Sequence, residues 1–173
     1  MLILVTGGAA SGKSEFAEHL ILRSSAKPLV YLATMEVWDE EDQKRVDRHR
    51  ALRKDKGFET VEAARHLEQV TIPRNSAVLL ECMSNVCVNE CFGPDGADGA
   101  YDRIFLGISH LKSQCRDLVI VSNELFSDGR TYTPESEAYK QILARLNRDI
   151  AAMADQVWEV CCGIPILWKG EQP

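Results

Sequence analysis

The sequence predicts an α/β fold: a mostly parallel sheet with helices on both faces and an antiparallel edge hairpin at its C-terminal end. Three observations predict it. Runs of four to six residues that are apolar throughout alternate with longer amphipathic stretches, the pattern of strands buried on both faces by crossover helices. The first run, Leu2-Ile3-Leu4-Val5-Thr6, leads directly into GGAASGKS at 7–14 and then into EFAEHLILR, which reads as a helix. The last two runs are separated only by Gly163, too short a link for a crossover, so they form a hairpin.

In chain order, strands are predicted at 2–5, 28–33 (PLVYLA), 77–81 (AVLLE), 118–122 (LVIVS), 155–161 (DQVWEVC) and 164–168 (IPILW). Helices are predicted over 13–25, about 38–54, 82–92, 100–116 and 134–153. In the last, Pro134 suits the first turn, and Glu135 and Glu137 complement its positive end. Ile142, Leu146 and Ile150 recur at spacing four, with Leu143 and Met153 beside them, as one apolar stripe. Arg145 and Arg148 fall off that stripe and face solvent or a phosphate. Segments 54–62 and 123–133 lack periodicity and read as loops, and GPDGADG at 93–99 is a turn cluster. No repeat, low-complexity tract or linker divides the chain, so residues 1–173 are expected to form one catalytic domain.

The chain of 173 residues carries a net charge of −6 at a pI near 5.3, which argues against bulk nucleic-acid or membrane-surface binding. Any polyphosphate site must make its positive potential locally. No apolar run is long enough for a transmembrane helix. The N-terminal apolar stretch has no basic region before it and runs into the glycine loop, so it reads as a strand and the protein as cytoplasmic. The six cysteines, at 82, 87, 91, 115, 161 and 162, contain no C-x-x-C pair and no zinc spacing. Cys87 and Cys91 can share a helix face, but buried free thiols in a reducing compartment are the simpler expectation.

Residues 7–14 match G-x-x-x-x-G-K-S, the phosphate-binding P-loop. A polyphosphate needs several N–H donors aimed at one point. A glycine-rich turn lets the backbone approach that closely, and the helix starting there adds its positive dipole end. Gly7, Gly8, Ala9, Ala10, Ser11, Gly12, Lys13 and Ser14 are the candidate contacts. Lys13 reaches the β- and γ-phosphates, and the Ser14 hydroxyl ligates Mg²⁺.

The most charged stretch is DEEDQKRVDRHRALRKDK at 39–56. A solvated helix face is the plain reading. Yet acids lead and bases follow, and Arg45, His49 and Arg53 stand at i, i+4 and i+8, with Arg48 and Arg50 flanking the histidine. Arginine forks match phosphate oxygens, and four arginines push the histidine towards its neutral form. Neutral imidazole can attack phosphorus. Glu81 closes the apolar run Val78-Leu79-Leu80. In a parallel sheet that end lies on the P-loop's edge, where an acid holds Mg²⁺ as a Walker B acid does or is simply an exposed strand-end acid. Asn123-Glu124 ends the 118–122 strand on the same edge.

Together these features resemble the family of bifunctional adenosylcobinamide kinase / adenosylcobinamide-phosphate guanylyltransferase enzymes of cobalamin assembly. The resemblance spans nearly the whole chain. It rests on LVTGGAASGKS at 4–14, YLAT at 31–34, RVDRHR at 45–50, TVEA at 60–63, LLEC at 79–82, Asn89, VSNE at 121–124 and LNRDIAAMADQVWEVCCGIP at 146–165. It implies a RecA-like P-loop NTPase fold, a homotrimer, and two reactions. The first moves a γ-phosphoryl from ATP or GTP to the aminopropanol hydroxyl of adenosylcobinamide. The second transfers GMP from GTP to that phosphate through a guanylyl-histidine and releases pyrophosphate. The family's nucleophile matches His49. Its nucleotide contacts match residues 7–14, Ala33, Thr34, Met35, Arg50, Ala51, Leu52, Arg53, Glu62 and Glu81, with Mg²⁺ at Ser14 and Glu81. The sequence departs from the family pattern at Ala10, where arginine is common, at Arg48, at Lys54 and in the rewritten loop 125–132. Two other functions remain compatible with the residues: a P-loop kinase of other specificity with His49 as bystander, and a nucleotide-binding switch.

Overall fold

The computed structural model describes residues 1–37, 40, 43, 44, 47, 56–127, 129, 130 and 132–171. The elements are β1 (Leu2–Thr6), α1 (Lys13–Leu22), β2 (Leu29–Ala33), β3 (Phe58–Glu62), a single 3₁₀ turn (Leu67–Gln69), β4 (Ala77–Glu81), α2 (Met83–Phe92), α3 (Ala100–Gln114), β5 (Asp117–Val121), α4 (Pro134–Met153), β6 (Gln156–Cys161) and β7 (Ile164–Lys169). They form one seven-stranded sheet in the order β3-β2-β4-β5-β1-β6-β7. All neighbours pair in parallel except β6 and β7, the antiparallel hairpin at the edge.

The strands alternate their side chains between two buried faces. Leu2, Leu4, Val30, Leu32, Val78, Leu80, Leu118 and Ile120 enter one core, under α2, α3 and α4. Ile3, Val5, Leu29, Tyr31, Leu79, Val119 and Val121 enter the other, with Ala17 and Ile21 of α1. Because both faces are covered, the strands show no polar alternation, which is why they read as solid apolar runs. No helix among the described residues is long and apolar enough to cross a membrane.

Residues 54–62 are not the expected loop: their end is β3. Its sequence, FETVE, is half polar because β3 is an edge strand with exposed positions at Glu59, Thr60 and Glu62. A search for continuous apolar runs passes over such a strand. Helix α4 also differs in detail. Leu143, Leu146 and Ile150 are fully buried, while Ile142 and Met153 lie half-buried at the border, so the stripe turns through Leu143. Thr133 caps this helix, its hydroxyl accepting from the Ser136 N–H at 3.4 Å. Arg145 packs over the Tyr101 ring at 3.6 Å. Arg148 is exposed and donates to Asp149 Oδ1 at 2.9 Å. Of the predicted 38–54 helix, Glu40, Gln43, Lys44 and Asp47 are helical, and Gln43 Nε2 donates to Asp47 Oδ1 at 2.9 Å.

Cys87 and Cys91 do share one face of α2, buried, with their Sγ atoms 3.9 Å apart. Cys161 and Cys162 depart from the expectation of buried thiols. Both are exposed at the hairpin tip, 4.0 Å apart.

A buried ion pair fixes the helices beneath the sheet. The Glu90 carboxylate of α2 is 2% exposed and accepts from Arg103 Nε of α3 at 2.8 Å and from the His66 N–H at 2.9 Å. The same guanidinium donates to the carbonyls of Gly96 and Asp98, each at 2.8 Å, and so clamps the glycine-rich turn 93–99. Removing one partner of such a pair leaves an uncompensated buried charge. Arg103→Ala is therefore expected to lower unfolding free energy by about 3 kcal/mol, measured by urea denaturation; a loss within about 0.5 kcal/mol would show the pair to be inconsequential.

Candidate active site

The P-loop follows β1 and wraps the N-terminus of α1, and the reason is steric. A Cβ on Gly7 would lie 2.5 Å from the Val160 carbonyl oxygen of β6, so only glycine lets the loop pass that strand. Gly12, the residue capping α1, has φ +91°, a conformation that glycine adopts without strain. The β6–β7 hairpin then closes one flank of the loop: the Gly163 N–H donates to the Ser11 carbonyl at 2.9 Å. On the other flank the Glu124 N–H donates to the Gly7 carbonyl at 3.0 Å, which ties the end of β5 to the loop.

Lys13 is 8% exposed, and its Nζ donates to the Gly8 carbonyl at 2.9 Å. Burial holds its pKa below the ordinary lysine value, and the nearby Cys82 and Glu81 oppose that shift. A phosphate would act in the same direction as Glu81 and favour the charged ammonium. Ser14 lies in the first turn of α1. The Ser11 hydroxyl oxygen is buried with no hydrogen-bond partner among the described residues. An orphaned hydroxyl inside a P-loop fits an anionic ligand that supplies its partner.

Sheet register assembles the rest. Ala33 stands opposite Glu62 on β3 and opposite Glu81 on β4, so three residues from separate stretches form one row at the carboxyl edge. Tyr31 Oη donates to Glu81 Oε2 at 3.2 Å and orients that carboxylate. Just beyond the row, Thr34 is fully buried: its N–H donates to the Glu81 carbonyl at 3.3 Å and its hydroxyl to the Cys82 carbonyl at 3.1 Å. Asn89 of α2 donates to the carbonyls of Thr34 and Ala64 at 2.8 and 3.0 Å, which binds the ends of β2 and β3 together. Met35 follows, half-buried. The edge thus carries the P-loop, Ala33, Thr34, Met35, Glu62 and Glu81. His49 and the predicted contacts Arg50, Ala51, Leu52 and Arg53 lie outside the described residues, as do Arg45 and Arg48.

Sequence reasoning missed Tyr31 and Ser84. Tyr31 reads as a core aromatic within β2, and only the register shows its hydroxyl reaching Glu81. Ser84 accepts from Asn123 Nδ2 at 2.6 Å and joins the ends of β4 and β5, a contact no spacing announces. Also missed is a cavity of about 560 Å³ beside Ala9, between the loop after β5 and the first turns of α4.

Residues 3–167 match the family model described as cobinamide kinase / cobinamide phosphate guanyltransferase. The chain belongs to this family. Among its relatives is the bifunctional adenosylcobalamin biosynthesis protein CobU of Escherichia coli K12, 36% identical over 98% of this chain and 100% of that protein. The protein of the same name from Salmonella typhimurium is 34% identical with the same coverage. The CobP protein of Pseudomonas aeruginosa is 28% identical over 97% of each chain. Solved structures show the fold at low identity. The flagellar accessory protein FlaH of Methanocaldococcus jannaschii has a TM-score of 0.51 at 12% identity, covering 98% of this chain and 78% of its own. A KaiC-like protein of Pyrococcus horikoshii has 0.50 at 12%, covering 99% and 80%. The cobinamide kinase family chain thus has a P-loop NTPase fold of the RecA-like kind. In agreement, the strand bearing Glu81 is separated from the P-loop strand by one intervening strand, β5.

Lys13→Ala separates binding from folding. It removes the ammonium that the loop offers to a phosphate, so nucleotide affinity is expected to fall about 10- to 100-fold. It also removes a desolvated ammonium, so the melting temperature should not fall. Titration calorimetry and thermal unfolding check both; a large loss of Tm would mean that Lys13 holds the loop together instead.

Proposed function

We propose that this chain catalyses both family reactions in one domain. It phosphorylates the aminopropanol hydroxyl of adenosylcobinamide with ATP or GTP. It then transfers GMP from GTP to the product through a guanylyl-histidine at His49, giving adenosylcobinamide-GDP. The observation that carries this reading is the whole-length family membership, joined to a carboxyl edge where the P-loop, Glu81 and the Ala33–Met35 segment converge.

In the phosphoryl-transfer step the P-loop N–H groups and the N-terminus of α1 hold the polyphosphate, and Lys13 balances charge as it moves onto the leaving diphosphate. The acceptor oxygen bonds to the γ-phosphorus while the bond to the β–γ bridging oxygen breaks. A hydroxyl at Ser14 and a carboxylate at Glu81 are hard oxygen donors of the kind Mg²⁺ prefers. Those residues would hold the ion, which supplies charge neutralisation across the β- and γ-phosphates when bound. Tyr31 keeps Glu81 turned to that task.

In the nucleotidyl step the His49 imidazole attacks the α-phosphorus of GTP and pyrophosphate leaves. The phosphate of adenosylcobinamide phosphate then displaces histidine from the GMP. A covalent relay divides a three-body encounter into two easier steps. Arg50 and Arg53 would stabilise charge on the α-phosphate in flight. The plain P-loop kinase needs no such histidine, because positioning and electrostatics suffice for phosphoryl transfer. The enzyme is placed in the cytoplasm with its nucleotide substrates. A homotrimer is compatible with the apolar outer surface of β7, where Ile164, Ile166 and Trp168 are exposed.

The deciding experiment incubates the protein with α-labelled GTP and Mg²⁺ without corrinoid. Label should remain on the denatured chain, stable to base and lost in acid as a phosphoramidate is, and should vanish in His49→Ala. No label with nucleotide binding intact would leave a kinase alone.

A further inference from the structure

The P-loop has two unlike flanks. The β6–β7 hairpin closes one, with Gly163 against Gly12 and Ser11. The other opens at Ala9 into the 560 Å³ cavity, which Glu124, Leu125, Tyr132, Ser136 and Tyr139 also line. We propose that this cavity is the acceptor subsite of the kinase reaction, taking the alcohol arm of a large amide-bearing ring, with Glu124 receiving the hydroxyl proton. The inference rests on the function proposed above and assigns a place to its second substrate.

Position argues first. In the sheet order, β5 lies between the P-loop strand and the strand bearing Glu81. Lys13 and Glu81 act on the β- and γ-phosphates, so the terminal phosphoryl lies on the β5 side of the loop. An in-line attack on it must come from beyond the nucleotide's end. The cavity opens on that side, at Ala9 and Glu124.

Chemistry argues second. A purine site needs donors and acceptors ordered in a plane. This cavity instead presents the apolar bodies of Leu125, Tyr132 and Tyr139, interrupted by the polar groups of Glu124, Ser127, Ser136 and Lys140, a mixed lining that suits a ring bearing amide groups and an alcohol arm. Phe126 and Tyr132 on the same loop are partly exposed, and Lys140 Nζ lies 4.6 Å from the centre of the Tyr132 ring. The volume falls in the range of small-molecule sites, about 300–1,000 Å³. It gives room for the alcohol arm and the ring surface next to it.

Glu124 argues third. Its backbone is fixed to the P-loop through Gly7, and its Oε1 accepts from the Phe126 N–H at 2.8 Å and the Ser127 hydroxyl at 2.9 Å. The carboxylate is therefore held at the mouth between cavity and P-loop. As the acceptor oxygen bonds to the γ-phosphorus and the nucleoside diphosphate leaves, the hydroxyl proton passes to Glu124.

The test uses the purified full chain, adenosylcobinamide, and γ-labelled ATP or GTP. Leu125→Trp and Ser136→Trp fill the cavity from two different elements, and Leu106→Trp on the exposed face of α3 controls for added bulk. Each cavity variant should raise the acceptor KM about tenfold or more while the nucleotide Kd, which also reports folding, stays within about twofold. Glu124→Gln should lower kcat about 100-fold with a smaller change in acceptor KM. An unchanged acceptor KM in both tryptophan variants overturns the subsite. So does a parallel rise in nucleotide Kd in folded variants, which would make the cavity a nucleoside site. A full kcat in Glu124→Gln removes the proton transfer. If the wild-type chain binds nucleotide but never phosphorylates adenosylcobinamide, the function itself fails and the subsite with it. In that event label on His49 still tests the guanylyl step separately.

Discussion

Everything at the carboxyl edge depends on how closely the 7–14 backbone runs past β6. Phosphate recognition by main-chain N–H groups requires a loop with almost no side chain on its inner surface. Gly7 meets that requirement where an added Cβ would fall 2.5 Å from the Val160 carbonyl oxygen, and Gly12 does so by its left-handed turn into α1. The hairpin and the end of β5 then bracket the loop through Gly163 and Glu124. A site built this way is rigid without being crowded. Of the strands that brace it, β5 is buried in both cores, whereas the hairpin stands at the exposed edge of the sheet.

The same logic explains why the functional edge is assembled by register and not by motif. Ala33, Glu62 and Glu81 come from three strands, and their alignment follows from parallel pairing with no side chain directing it. Side chains act one step further out: Tyr31 on Glu81, Asn89 on Thr34 and Ala64, Asn123 on Ser84. The side chains that make these contacts, Tyr31, Asn89 and Asn123, are themselves uncharged, so they fix geometry without adding net charge to the field that a nucleotide would feel.

That division also sets what the sequence shows. The parallel sheet, the hairpin and the P-loop were legible because burial on both faces leaves solid apolar runs and because GGAASGKS is a local pattern. Glu81 was legible because it ends such a run. β3 was not, since an edge strand keeps polar residues and FETVE has no local signature. The role of Tyr31 was hidden for a related reason: a tyrosine in a buried strand looks like core until its partner across the sheet is known. The cavity was hidden more deeply. It is made by the loop after β5 folding back on the first turns of α4, the helix it leads into, and by Ala9 of the P-loop, and Leu125, Ser136 and Tyr139 share no regular spacing that would associate them.

An acidic protein that handles polyphosphate faces a constraint of charge. Glu62, Glu81 and Glu124 all sit on the edge to which an anion must come, and the chain as a whole carries −6. Lys13 and the α1 terminus supply local positive potential, but burial works against the ammonium. Two unit charges at about 4 Å interact by about 4 kcal/mol at an effective dielectric of about 20, so one acid at the phosphates can cancel one lysine. A cation held by Glu81, as proposed above, would make the edge attractive, since it would turn that carboxylate from a repulsive group into a ligand. Glu124 needs no such cation, since it lies beside the acceptor cavity and gains from the approach of a neutral hydroxyl. The two acids thus divide the edge, one on the donor's charge and the other on the acceptor's proton.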